Sequence, residues 1–159
     1  MIVNIKPRVG IVCDEVLIKY GMTRQNIQEA FGVEPSIVEI DNVMDEIREH
    51  RFGMVFTFEK GKLIYIEVSL NTKLIYKEVD IFGLSNTIEL LSKYDTPTSN
   101  VGKYINFYKL GIMLGGFGKK KIPEKKLAFL YPQKEKEFFE DMYKIGGGEK
   151  IVGNKQRTT

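Results

Sequence analysis

The stretch "RFGMVFTFEKGKLIYIEV", residues 51–68, limits what this chain can fold into more than any other. Phe52, Met54, Phe56 and Phe58 alternate with Gly53, Val55 and Thr57, and a period of two is that of a strand with one buried face. Lys60-Gly61 then supplies a tight turn, and Leu63 to Val68 returns as the antiparallel partner. A hairpin with one apolar face must cover that face with another layer. At 159 residues the chain has enough length to do so within one core, burying roughly 70% of its unfolded surface without a metal or disulfide staple.

Strand signals recur on either side. Leu74 to Val79 follows an Asn71-Thr72 turn as a third strand, and residues 2–5 and 9–12 suit a short opening strand or hairpin. Further on, "KYINFYKLGIML" and "KKLAFLYP" read as strands, with Gly115, Gly116 and Gly118 in their connection. The stretch "SIVEIDNVMDEIREH" is open to two readings. Ile37 to Ile40 alternate as in a strand, whereas Val43, Met44 and Ile47 fit one helical face.

Two helix starts look alike. "KYGMTRQNIQEAFG" (19–32) and "IFGLSNTIELLSKY" (81–94) each run Gly, apolar, hydroxyl, then a short apolar stripe, and 62 residues separate Gly21 from Gly83. Thr23 and Ser85 are placed to cap the two helices through their hydroxyls. Ile27 aligns with Ile88 only after a slip of one residue, so chance likeness of two ordinary amphipathic helices is the competing explanation. These patterns predict an α+β fold: an antiparallel β-sheet with short helices on one face, built from two pseudo-repeated helix-then-antiparallel-strands units. The units span about 19–79 and 81–131 of a single domain at 1–145. "EKEFFEDMYK" closes that domain as a C-terminal helix, and 146–159 form a flexible basic tail.

Little in the sequence suggests bond-making chemistry. The single histidine, His50, sits in the charged run "EIREHRF", where a solvated surface role is expected. Cys13 has no second cysteine to pair with, and Asp14 and Glu15 beside it disfavour a thiolate. No His/Cys set has zinc spacing. "GGFGKKK" misses the phosphate-loop pattern at two places, with Met113 where a glycine belongs and Lys120 where a Ser or Thr should hold magnesium. The expectation is a protein that is not an enzyme and takes no cofactor and no metal. The longest uncharged apolar stretch, "LGIMLGGFG", is about half the length of a membrane span. With no secretion signal at the N-terminus and one unpaired cysteine, a cytoplasmic protein with no membrane partner is expected.

Charge and aromatic residues point to surfaces instead. Residues 1–100 hold 11 Lys and Arg against 15 Asp and Glu, whereas residues 101–159 hold 13 against 6. The acidic run from Glu34 contains Glu39, Asp41, Asp45, Glu46 and Glu49 against the single Arg48, which suits a basic protein partner. "GKYINFYKLG" interleaves aromatic and basic residues. On a strand, Ile105 and Phe107 would face inward, leaving Tyr104 and Tyr108 to anchor an interface. The candidate partner-binding set is therefore Glu39, Asp41, Asp45, Glu46, Glu49, Tyr104 and Tyr108.

The "GMT-x-x-x-I" helix start followed by a hairpin, at residues 21–68 and more loosely at 83–131, resembles the unit of the tandem-repeat β-lactamase-inhibitor-like fold. The whole chain, lysine-rich and without a catalytic set, resembles bacterial immunity proteins of contact-dependent growth inhibition systems. That resemblance implies masking of a cognate toxin, a nuclease among the options, by a large protein–protein contact. It transfers no binding residue, because immunity proteins diverge with their toxins. The alternative is a nucleic-acid-binding module using the basic C-terminal third, and a minor third reading is an apolar-ligand carrier.

Overall fold

The structure is a computed structural model, and it describes residues 1–100, 104–118 and 125–132. Strand β1 (Ile2–Lys6) leads antiparallel into β2 (Gly10–Cys13) and β3 (Val16–Lys19), and helix α1 (Arg24–Phe31) follows. Four strands come next: β4 (Ile37–Asp41), β5 (Glu46–Arg51), β6 (Met54–Glu59) and β7 (Lys62–Ser69). The short β8 (Lys73–Tyr76) and β9 (Val79–Asp80) precede helix α2 (Thr87–Leu91). The described part ends with β10 (Thr98–Asn100), β11 (Tyr104–Phe107), β12 (Ile112–Gly115) and β13 (Leu127–Leu130).

Two sheets result, a five-stranded one ordered β3-β2-β1-β8-β9 and an eight-stranded one ordered β10-β11-β12-β13-β7-β6-β5-β4. Every pairing is antiparallel except β1 with β8, where Ile2, Val3 and Asn4 run alongside Lys73, Leu74 and Ile75. The large sheet consists of two meanders, β4–β7 and β10–β13, joined where β7 pairs with β13. Its inner face and the small sheet share one apolar core. Val3, Ile5, Ile11, Cys13 and Ile18 come from the small sheet, and Phe56, Phe58, Ile66, Val68, Leu114 and Leu130 from the large one.

The hairpin forms from Met54 onward as its alternation requires, whereas Phe52 precedes the strand at positive φ and is exposed, and Thr57 on the other face is buried as well. Met54, Phe56 and Phe58 point into the core, and Lys60 and Gly61 both take positive φ, 52° and 79°, as a two-residue hairpin turn demands. Burial of the Cys13 thiol, reinforced by Asp14, pushes its pKa up to about 12, so it is an apolar core group under ordinary conditions.

The α+β expectation of helix-then-strand repeats is corrected: the molecule is a mainly-β fold of thirteen strands and two short helices among the described residues. The two matched helix starts differ physically. Thr23 caps α1 in a reciprocal capping box with Asn26, its Oγ1 accepting from Asn26 N at 3.1 Å. Ser85 does not cap α2. Asn86 occupies that position without a side-chain cap bond, and Thr87 Oγ1 donates backward to Ile81 O at 2.7 Å.

The two glycines also serve different ends. Gly21 needs its positive φ of 90°, whereas at Gly83 a Cβ would come within 2.4 Å of Asp80 Oδ2. The single strand read at 74–79 is instead a hairpin: it breaks at Lys77, φ 52°, into β8 and β9, and β8 leaves the sheet of β4–β7 to pair with β1. The expected C-terminal helix and the 146–159 tail lie outside the described residues.

Phe56 carries the test of this core, since it is fully buried and meets Phe31 edge-to-face at 5.7 Å. Phe56→Ala is expected to destabilise the protein by about 3–5 kcal/mol, read as a lower midpoint in urea unfolding with little change in slope.

Candidate partner-binding surface

The ambiguous stretch around Asp41 is a β-hairpin, and its turn is built by one carboxylate. Asp41 Oδ1 accepts from the backbone N–H of Val43 at 3.0 Å and of Met44 at 3.2 Å, an Asx-type turn. Asp45 then adopts positive φ, 52°, which Asp tolerates better than most side chains. The apolar pair Val43–Met44, which also suited a helical face, lies at the tip of this turn.

β4 is the outermost strand of the large sheet, and all five of its residues are exposed. The small sheet does not reach over it. Val38 and Ile40 share the core-facing side of the large sheet, opposite Glu49 and Ile47, yet Ile40 is 63% exposed and Val43 at the tip 92%.

Register sorts the acidic run into two faces. On the outer face, Asp41 lies opposite Glu46 and Glu46 opposite Glu59, so three carboxylates stand in one cross-strand row. Directly opposed like charges are unfavourable. Burial first, and then Asp41 and Glu59, push the Glu46 carboxyl above the usual range, with Arg48 opposing them. Glu39, next along, accepts from His50 Nε2 at 2.7 Å and lies 3.9 Å from Arg48. The His50 hydrogen bond and the Arg48 charge hold its carboxyl below the usual range.

Glu49 points the other way. It is only 2% exposed and is held between two guanidinium groups, Arg24 Nε at 2.7 Å and Arg51 Nη1 at 2.6 Å. Arg51, equally buried, also donates to Gln28 Oε1 at 2.6 Å and to the Val33 carbonyl at 3.2 Å. This cluster fastens α1 to β5, and Glu49 therefore leaves the surface set. Nothing in the acidic run separated Glu49 from its neighbours. The available signal was the phase of the strand, since Glu49 is two residues from both Ile47 and Arg51.

Tyr104 and Tyr108 join a second cluster on the outer face, with Met113 and Tyr131 buried and Tyr65 and Phe129 packed against them. Phe107 is buried in the main core and Ile105 packs on it, as the alternation of that strand implies. Within the outer cluster Tyr131 Oη donates to Asn106 Oδ1 at 2.5 Å, and Tyr65 meets Phe129 edge-to-face at 6.3 Å. β11 and β4 are six strand steps apart, about 30 Å at the usual strand spacing. The carboxylate row and the tyrosines thus share a face without forming one compact site. Of the basic final third, only 104–118 and 125–132 fall within the described residues.

Among the described residues no group of three or more His, Cys, Asp or Glu side chains is placed to hold a metal ion. No helix among them is long and apolar enough to cross a membrane. Comparison with protein-family models, with curated proteins and with solved structures found no match.

Two outcomes check this electrostatic picture. Glu49→Ala leaves buried Arg51 uncompensated and is expected to cost about 3–5 kcal/mol, whereas removal of an ordinary surface charge changes stability little. Glu46 behaves oppositely. Its folded-state pKa is raised, so its contribution to stability is present below the ordinary carboxylate range and is lost as pH rises through the raised value. Glu46→Gln is therefore expected to stabilise the fold at neutral pH by about 0.5 kcal/mol. Urea titrations at neutral pH and below the carboxylate range should show that gain disappear in acid.

Proposed function

We propose that this chain is a non-enzymatic immunity or inhibitor protein of the cytoplasm that neutralises a cognate bacterial toxin by protein–protein contact. The observation that carries the reading is the β4–β5 hairpin. It overhangs the core with Ile40 exposed on its inner face and Val43 and Met44 exposed at its tip, while Asp41, Glu46 and Glu59 form a row on its outer face. Exposed apolar side chains on one face and a carboxylate row on the other give the hairpin the composition of an interface element. The cross-strand carboxylate row is unfavourable within the free chain and becomes favourable once a basic surface neutralises it. A nuclease that grips phosphodiester backbones presents such a basic surface, so a nuclease toxin fits the charge of this hairpin well.

Capture on the immobilised chain from its native host, followed by expression of the captured protein alone and together with this chain, tests the reading. The expected result is a partner that arrests growth alone and is harmless beside this protein. Charge removal at Asp45 with reversal at Glu46, by Asp45→Asn with Glu46→Lys, is expected to weaken that capture by about tenfold or more, since complementary interface charges carry about 1.5 kcal/mol and upward. Its thermal midpoint should stay close to that of the parent. Capture of RNA at physiological salt in place of any toxic protein would replace the proposal with nucleic-acid binding.

A further inference from the structure

On the reading of the hairpin as a binding element, we infer that the partner docks on β4 by adding a strand of its own to the eight-stranded sheet, and that this strand is an extended segment carrying basic residues at alternate positions. The inference rests first on the backbone. In an antiparallel sheet each residue directs both its N–H and its C=O to the same side, and successive residues alternate. The phase is set by two bonds: Asp45 O accepts from Lys60 N, toward β6, and His50 O accepts from Ser36 N, toward β4. Counting along the register, Glu46, Arg48 and His50 bond toward β4, and their partners Asp41, Glu39 and Ile37 bond toward β5. Val38 and Ile40 therefore direct their N–H and C=O groups away from the sheet, at its edge.

Natural proteins guard such edges with charged side chains, lysine above all, and with proline, bulges or very short strands. Among the described residues, the other three edges are short or carry lysine. β9 has two residues, β10 has three, and β3 ends in Lys19. β4 has five residues in regular register, with neither lysine nor proline among them. It is the longest of the four edges among the described residues, and its guard is acidic, Glu39 and Asp41, which repels an acidic strand and admits a basic one.

Side chains then choose the occupant. On one face of β4 stand Glu39 and Asp41, and on the other Val38 and Ile40. An added strand with basic residues toward the first pair and apolar residues toward the second satisfies both faces, which is how strand addition acquires specificity. A second copy of this chain fits poorly. Antiparallel self-pairing centred on Glu39 sets Glu39 against Glu39, and centring on Ile40 sets it against Asp41. Centring on Val38 calls on Ser36, whose N–H is already donated to His50 O at 2.8 Å.

The experiment uses the full chain and a short synthetic peptide alternating lysine with valine, with a glutamate–valine peptide as control. Amide hydrogen exchange is read residue by residue. In the free protein Val38 and Ile40 should exchange faster than Glu39 and Asp41, and with the lysine peptide both should slow by roughly tenfold or more. The control peptide should change neither. Ile40→Pro, and separately Val38→Pro, remove an outward N–H while sparing the ladder to β5, so each should keep the thermal midpoint and lose the peptide. Binding without added protection at Val38 and Ile40, unaltered binding by the proline variants, or no binding at all would each overturn strand addition. Those failures are separable from failure of the inhibitor reading. A growth-arresting protein that still binds Ile40→Pro leaves inhibition standing without strand addition, whereas absence of any such protein removes inhibition whatever the peptide does.

Discussion

The parallel pairing of β1 with β8 is the contact on which the rest of the architecture depends. It joins the first strand of the chain to one lying some seventy residues later, and so closes the five-stranded sheet over the inner face of the eight-stranded one. Without it, Phe56, Phe58, Ile66 and Leu130 would lose the layer that covers them. Burying each such side chain is worth about 1.5–3 kcal/mol, so the pairing acts mainly by assembling the core and only slightly through its own hydrogen bonds. The long closure it requires is also why no local pattern announced it.

The same arrangement produces the candidate surface. Five strands cannot cover eight, and β4 with the tip of the β4–β5 hairpin is an uncovered margin among the described residues. The Glu49–Arg51–Arg24 cluster sits at that margin, where the core ends and β5 still carries half-buried side chains. It holds α1 against the root of the hairpin. A buried carboxylate between two guanidinium groups contributes less net stability than its short distances imply, because each charge has been desolvated. Its clear consequence is positional: it fixes the strand from which β4 and its carboxylate row extend.

Local elements were legible where neighbouring residues alone decide them. The Phe-rich alternation and the Lys60-Gly61 turn wrote the β6–β7 hairpin plainly. Thr23 marked the start of α1, and the strand parity of Ile105 and Phe107 gave their burial. Elsewhere the local signal misled. Ser85 resembled Thr23 in sequence, but α2 begins without a side-chain cap, so the matched motif described two unlike turns. Asp41 and Glu49 counted equally in an acidic run, yet one bends a hairpin and the other is locked in the interior.

Alone, the sequence settled some of the alternating segments, the Lys60-Gly61 turn though not the one at Lys77-Glu78, and that negative charge gathers between residues 34 and 49, because each depends on side chains a few positions apart. Only the tertiary structure decided that the strands divide into two sheets, that a parallel pair closes them, and which carboxylates face solvent. Those outcomes turn on pairings between distant segments and on which face of a strand another layer happens to cover. Register carries that information, and register is a property of two strands together.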